Sequence, residues 1–463
     1  MPFSPHDSPS APAAIRPLKS RTRLLLLLTG WLWAGCAFQG LFAGRNALEF
    51  YQGQARGPEI YAVDGGYALK ASVHNHTLWS HGALSADELA AVAKSRGIAV
   101  LAITEHDNLE ACWGKVICFR DPSVVKMGYA NYWQQMAALQ QKNPDLVILP
   151  GMEVAPYAWW TGVPPWLRLH GWDVHFTVYN LTDAAACQGM PTLANHRLQP
   201  AHPRRNRGEK PYQQFVAYIA DHGGLVFLAH PESKAVHRLA AAKTVTPPYP
   251  EYARDLLGLT GFAVLPSGRD RLLKPGGIWD QTLAEYLAGK RRAPIWVLGD
   301  ADFHGGDQQL DQVLTWIYAA GQDEASVLAA MRQGRMVAVQ GPELAGLRVT
   351  EFGLTRPNQE KARIMLGQVS GDPQATQVRF ALSRQVAGMS ARLIRNGEVI
   401  FTARETRFAY DDSAYLGQSQ PASYRVEVRG EGDFLLVTNP VFSRVGKEVS
   451  GSPSPIIEDR KIH

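Results

Sequence analysis

Cysteine is scarce in this chain, and positive charge is not concentrated in its body. The four cysteines, Cys36, Cys112, Cys118 and Cys187, form no Cys-x-x-Cys pair, which excludes the common structural zinc modules. The net charge is +5. The first 23 residues carry Arg16, Lys19, Arg21 and Arg23 against Asp7 alone, and so account for three of those five charges. The remainder is nearly neutral, with no Lys/Arg block and no basic platform interleaved with aromatics. That excludes a strong nucleic-acid surface. There is no internal repeat.

Residues 1–23 are rich in Pro, Ser and Ala and read as a disordered basic arm. Residues 24–44 are uncharged and apolar and are closed by Arg45. At about 1.5 Å per residue such a stretch can span a bilayer core. The basic flank predicts a cytoplasmic arm and an exported remainder. The reading is a transmembrane signal anchor or a signal peptide over 24–44, with the catalytic domain in a bacterial periplasm; secretion, or lipoprotein processing at Cys36, is the alternative. Export would permit a Cys112–Cys118 bridge; free thiols are the plain alternative.

After a linker over 45–67, apolar or alternating runs recur and each ends in chemistry-bearing residues. Residues 67–73 lead into His74, Asn75, His76 and Thr77, then Ser80 and His81. Residues 98–104 lead into Glu105, His106 and Asp107, residues 146–149 into Glu153, residues 225–229 into His230, and residues 295–298 into Asp300, Asp302 and His304. Residues i and i+2 of a strand share a side, so His74 and His76 face one point. Runs of this kind suit parallel strands buried on both faces. Helical patterns over 85–96, 129–141, 211–221 and 282–288 separate them, the first opening on a capping box at Ser85 and Glu88. Strand and helix in alternation predict a β/α barrel or a doubly wound sheet. In a barrel, residues just past the strand ends share one mouth.

In order and spacing these motifs resemble the PHP (polymerase and histidinol phosphatase) superfamily of metal-dependent phosphoesterases, over roughly residues 68–340. The resemblance implies a distorted barrel of about seven β/α units holding two or three divalent ions (Zn, Mn or Fe). It implies one metal position at His74, His76, Glu153 and Asp302, and a second that shares Glu153 and adds His175 and His230. A third would use His81, His106 and His304. Where this chain has His81, many members of the family have Asp, which removes one negative charge from the third position. Glu105 replaces the commoner Asp of its motif and is not expected to ligate. His170 is the rival to His175. Asp300 and Asp307 are either acceptors that orient a ligand imidazole or solvated loop acids. His196, His202, His222 and His237 read as surface or loop histidines.

A water or hydroxide between two such ions is a nucleophile at neutral pH, with Glu153 and Asp302 offsetting the metal charge. Arg269, and secondarily Lys234, are candidates to hold a phosphate, or else are solvated surface charges. Residues 157–166, with Trp159, Trp160 and Trp166, read as an aromatic wall at the mouth, as a membrane-interface contact, or as local loop packing. Past residue 342 the periodicity becomes strictly alternating, with a hairpin signal at Asn396-Gly397. The domain reading is therefore an α/β barrel over 68–342, an all-β sandwich over 343–445 and a loose tail over 446–463. The expected function is phosphoester hydrolysis of a small molecule. A carboxyl- or carbamate-ester hydrolase, in the manner of exported carbaryl-hydrolase-like relatives, is the alternative. A non-catalytic metal-binding module of a membrane complex is the third reading.

Overall fold

In the computed structural model, which describes residues 57–443 except 109, 114–116, 194–204, 240–241, 342–345 and 431–432, the apolar runs of the sequence lie side by side in one long mixed sheet. Its continuous path holds thirteen strands. Seven come from the motif-bearing region: β1 (Gly66–Ser72), β2 (Val100–His106), β3 (Val147–Val154), β4 (Phe176–Tyr179), β5 (Leu225–Leu228), β6 (Gly261–Leu265) and β7 (Trp296–Gly299). Two more, β8 (Val313–Ala319) and β9 (Met336–Gln340), lead to β10 (Ser390–Arg395), β11 (Glu398–Ala403), β12 (Ala422–Arg429) and β13 (Leu435–Thr438). The order is β7-β6-β5-β4-β3-β2-β1-β8-β9-β13-β12-β10-β11.

The strands β1, β2 and β3 are parallel, as are β5, β6 and β7, but β4 runs antiparallel to both of its neighbours. Beyond β1 every pairing along the path is antiparallel. The sheet curls until β7 lies beside β8 and β9, and side chains of β8 and of the residue after β13 join it there. Thr315 Oγ1 accepts the Gly299 N–H at 3.0 Å and donates to the Gly299 carbonyl at 2.8 Å. The Asn439 amide does the same for Val297, at 2.8 Å in each direction.

Helices cover this sheet where the sequence predicts them. Ala86–Ser95 is held at its start by the Ser85–Glu88 capping box. Tyr129–Lys142, Lys210–Asp221 and Ile278–Leu287 follow the other apolar periodicities.

Two expectations are corrected. The architecture is not a barrel of parallel β/α units trailed by a separate sandwich. It is a mixed α/β arrangement with many strands and few helices, in which the late strands extend the same sheet. A three-stranded sheet, Val349–Thr355, Gln377–Leu382 and Arg407–Asp411, shares its apolar core with the main one. Trp316 and Tyr318 of β8 and Val337 of β9 pack in one cluster with Phe352, Phe380, Val426 and Leu436. Alternation along the late strands signalled half-buried sheet but could not tell a new layer from an extension of the old one. Arg425 ties the two regions together. Buried in β12, it makes two 2.8 Å bonds to Asp280 of the helix Ile278–Leu287, one of 2.7 Å to Glu427 and one of 3.0 Å to the Leu273 carbonyl. The second correction concerns the membrane-spanning element. Among the described residues no helix is long and apolar enough to cross a membrane, and residues 24–44 themselves lie outside those described.

Candidate metal centre

The cluster is built by strand register and by one loop. The parallel pairing of β2 with β3 sets His106 opposite Glu153, and brings His106 Nδ1 to 3.0 Å from Glu153 Oε2. The loop after β7 runs beside the end of β1. His76 N–H donates to the Phe303 carbonyl at 2.9 Å and Phe303 N–H to the His74 carbonyl at 3.1 Å, so Asp302 meets both histidines. His175 precedes β4 and His230 follows β5. Ala229 N–H donates to the His175 carbonyl at 3.0 Å, which puts their rings 5.2 Å apart. His230 and Asp302 have φ of +27° and +47°, left-handed conformations that cost a side-chain-bearing residue on the order of 1–3 kcal/mol and gather at functional sites.

Glu153 is the centre. Its Oε1 lies 2.9 Å from His175 Nδ1, 3.1 Å from His230 Nε2 and 3.4 Å from His74 Nε2. Its Oε2 lies 3.0 Å from His106 Nδ1 and 3.3 Å from His76 Nε2. Asp302 Oδ1 is 3.4 Å from His74 Nε2 and 3.3 Å from His76 Nε2. Two atoms bound to one cation at about 2.1 Å in tetrahedral geometry sit about 3.4 Å apart, and the His74–His76–Glu153–Asp302 distances match that spacing. Three of these atoms, His106 Nδ1, Glu153 Oε2 and Asp302 Oδ1, are buried without a hydrogen-bond partner. Such orphans are rare in folded proteins, and divalent cations would satisfy them. Donor sets able to hold an ion are His74, His76, Glu153 and Asp302; His106, Glu153 and His175; and His76, His106 and His304.

Neighbouring acceptors aim the imidazoles. Asp300 Oδ2 takes the His74 Nδ1–H at 2.8 Å and the Asp302 carbonyl takes the His304 Nδ1–H at 2.9 Å, leaving each Nε2 lone pair for a metal. Asp300 thus orients a ligand, whereas Asp307 is exposed. Glu105 fixes the loop after β1 instead of facing the cluster: its Oε1 accepts the Thr77 N–H at 2.8 Å and hydroxyl at 2.6 Å, and its Oε2 the Ser80 hydroxyl.

Charge in the site follows from burial set against partners. For His74 burial opposes protonation, but Asp300, Glu153 and Asp302 outweigh it and raise its pKa well above the usual value. His76 is likewise raised to about 9, by Asp302 and Glu153 against burial. Burial pushes His106 down to about 3, with Glu153 only partly opposing, and pushes Asp107 up to about 7. Burial works to raise Glu153, yet His175, His74 and His106 hold it well below the carboxylate range.

Other sequence-predicted residues fall elsewhere. His81 is outside the three donor sets; its Nε2 is 3.4 Å from Asp121 Oδ1. Arg269 does not reach the cluster, because the loop after β6 turns its guanidinium to Asp433 at 3.5 Å. Lys234 is exposed. His170 stacks on Trp159 and meets Thr161 at 2.8 Å, away from Glu153. His237, read as a surface histidine, bonds Asp173 at 3.1 Å and borders the cavity, whereas His222 is an exposed helix cap. His196 and His202 lie outside the described residues. Of the tryptophans, Trp160 packs in a small core with Leu167, Leu169 and Trp172, and Trp166 is 74% exposed. Most of that segment is therefore loop packing.

A cavity of about 780 Å³ opens over the cluster. Its wall includes residues the sequence reading passed over: Phe119, Arg120, Asp121, Trp172 and Arg238. Phe119 and Arg120 belong to a short hairpin, Glu110–Trp113 with Ile117–Arg120, and Asp121 follows it; in it Cys112 and Cys118 are paired across the strands and joined by a disulfide. Cys187 is buried elsewhere. A run of four residues ending in Arg-Asp-Pro carries little periodicity, and only its path shows that it reaches the site.

Residues 72–198 match the PHP domain family. His230, Asp302 and His304 lie beyond the matched stretch and meet its residues through the fold. Among solved structures, a two-domain protein from Bacteroides vulgatus ATCC 8482 containing a predicted PHP-like metal-dependent phosphoesterase is similar at 11% identity and a TM-score of 0.39, over 81% of this chain and 94% of that one. An amidohydrolase from Chromobacterium violaceum is similar at 16% identity and a TM-score of 0.25, over 52% and 89% of the two chains. None of the curated proteins compared matches the chain. The match to the PHP family and a buried His/Glu/Asp cluster able to bind metals fit a metal-dependent hydrolase.

Proposed function

We propose that the chain is a metal-dependent phosphoesterase whose ions sit at the Glu153 cluster. The observation that carries this is Glu153 itself, a buried carboxylate with imidazoles against both oxygens, the arrangement of a ligand shared by two cations. His74, His76 and Asp302 would complete one position, and His175 and His230 the other. Ions of the zinc, manganese or iron type, when bound, polarise a phosphoryl oxygen and lower the pKa of a water.

The protein's own contribution is placement and charge. Glu153 sets the spacing, Asp302 offsets positive charge, and Asp300 holds the His74 ring. A phosphate monoester is a dianion and needs cationic groups for its spare oxygens. In this reading Arg120 and Arg238, on the cavity wall, take the role first given to Arg269. The cavity exceeds the size of phosphate alone, so an organic leaving group fits beside Phe119 and Trp172. Those two rings also favour a second reading, hydrolysis of an aryl carboxyl or carbamate ester by the same cluster. Purified protein, stripped with chelator and reloaded with Zn²⁺, Mn²⁺ or Fe²⁺, is assayed on aryl phosphates, carboxyl esters and carbamates. Metal-dependent turnover of the phosphate alone supports the proposal; turnover of only the other two transfers it to the second reading. No turnover with any metal overturns both.

A further inference from the structure

Outside the main sheet, Arg238–Leu239, Ala242–Val245, Leu167–His170 and Trp159–Thr161 pair in that order as a four-stranded sheet. One of its faces is apolar: Trp160, Leu167, Leu169 and Ala242 pack in a small core with Ala111 and Phe119 of the disulfide-closed hairpin. Side chains alternate along a strand, so the residues between these point to the other face. Register sets Arg168 beside Lys243 and Lys243 beside Arg238. Arg168 and Arg238 are exposed and Lys243 is half-buried. At the end of the sheet that bears this row, the chain turns over through residues 162–166, held by a 2.8 Å bond from the Trp166 N–H to the Val163 carbonyl. The whole turn is exposed, Val163 by 61% and Trp166 by 74%. Further along, Trp159 stacks on both His170 and Tyr157. The Tyr157 hydroxyl donates to the Arg205 carbonyl at 2.6 Å, and the Arg207 guanidinium lies 6.0 Å from the Tyr157 ring centroid. Arg205 and Arg207 are exposed. Among the described residues Arg168, Lys243, Arg205 and Arg207 have no ion-pair partner, and residues 157–170 and 237–249 include no acid.

We infer that this face docks on an anionic lipid bilayer, with Val163 and Trp166 entering the interface and Arg168, Lys243, Arg205 and Arg207 meeting headgroup phosphates. This docking is independent of the reaction proposed for the Glu153 cluster. Two features meet in one place. Tryptophan is favoured at the boundary of hydrocarbon and water, where the ring is buried and its N–H stays near polar groups. Cations that no carboxylate neutralises are drawn to the negative surface of an anionic leaflet. A single-stranded nucleic acid would need aromatic faces open for stacking. Here Tyr157, Trp159 and His170 stack on one another, and the open apolar groups are those of the turn. Arg238 ends the cationic row and borders the cavity, so the docked face adjoins the site.

The test mixes the full chain with vesicles whose brominated acyl chains quench tryptophan. The vesicles are phosphatidylcholine alone, or phosphatidylcholine with phosphatidylglycerol. The difference in quenching between wild type and Trp166→Phe reports that one ring, wherever else the chain touches lipid. The expected result is that wild type is quenched more than Trp166→Phe on phosphatidylglycerol vesicles. The difference vanishes on phosphatidylcholine alone and in Arg168→Glu/Lys243→Glu. It shrinks in about 1 M salt, where the screening length is about 3 Å. Melting curves control for folding, and Arg168→Glu alone replaces the double variant if the latter melts early. Equal quenching of wild type and Trp166→Phe on phosphatidylglycerol vesicles overturns the inference. So does a difference that persists on neutral vesicles or survives charge reversal. A Trp166 signal with a single-stranded oligonucleotide and none with vesicles also overturns it, and assigns the face to nucleic acid.

Discussion

Glu153→Gln keeps the side chain's shape and removes its charge. If Glu153 joins two ions, this single change lowers metal content per chain and abolishes metal-dependent turnover, while far-ultraviolet circular dichroism stays native. Asp300→Ala acts one step removed. It frees the His74 ring, which predicts a 10–100-fold weaker metal affinity, measurable by competition with a chelator. The protons of the cluster give a pH signature. Folding raises His76 from the usual 6.5 to about 9, because Asp302 and Glu153 outweigh burial. In metal-stripped protein this contribution to stability is fully present below about pH 6.5 and is lost as pH climbs through about 9. Glu153 and Asp302 act with the opposite sign: their lowered folded values stabilise above the carboxylate range and fail on acidification. Urea midpoints of stripped protein are therefore expected to peak between those limits. Metal affinity is expected to rise across pH 6–9 as the same protons leave. At this scale histidines and acids at strand ends were legible in sequence, because strand periodicity fixes where such residues point. Arg269, Asp121 and Arg238 were not, since the path of a loop decides what its polar residues reach.

Among the elements, the strands bearing ligands were readable as apolar runs, and the helix over Ala86–Ser95 from its capping box. The direction of β4 was not, because a four-residue buried strand reads alike both ways; nor was the way the sheet closes. Closure at β7 depends on Thr315 and Asn439 side chains, single polar residues that carry no pattern. Thr315→Val keeps the shape but leaves the buried Gly299 N–H and carbonyl without that partner. The expected loss of about 1–3 kcal/mol is read from denaturant unfolding. Because β7 leads directly into Asp302, weaker metal binding should accompany it.

For the molecule as a whole, the late strands are part of the structure that carries the site. Trp316 of β8 and Phe352 of the three-stranded sheet sit in one apolar cluster, and Arg425 binds Asp280 from across it. Arg425→Ala leaves the buried Asp280 without its cationic partner, while Glu427 keeps Arg392 and Arg429, at an expected cost of about 3–5 kcal/mol. Phe352→Ala removes a fully buried ring, with a similar expected loss of about 3–5 kcal/mol. Each should shift one cooperative unfolding transition, seen alike by tryptophan fluorescence and by metal release; two separate transitions would mean that the sheets fold independently. The most direct test of the central claim is anomalous diffraction from crystals soaked in Zn²⁺ or Mn²⁺. Strong peaks on either side of the Glu153 carboxylate, one within bonding distance of His74, His76 and Asp302 and one near His175 and His230, are predicted. No peak within reach of Glu153 in fully soaked crystals would contradict the account.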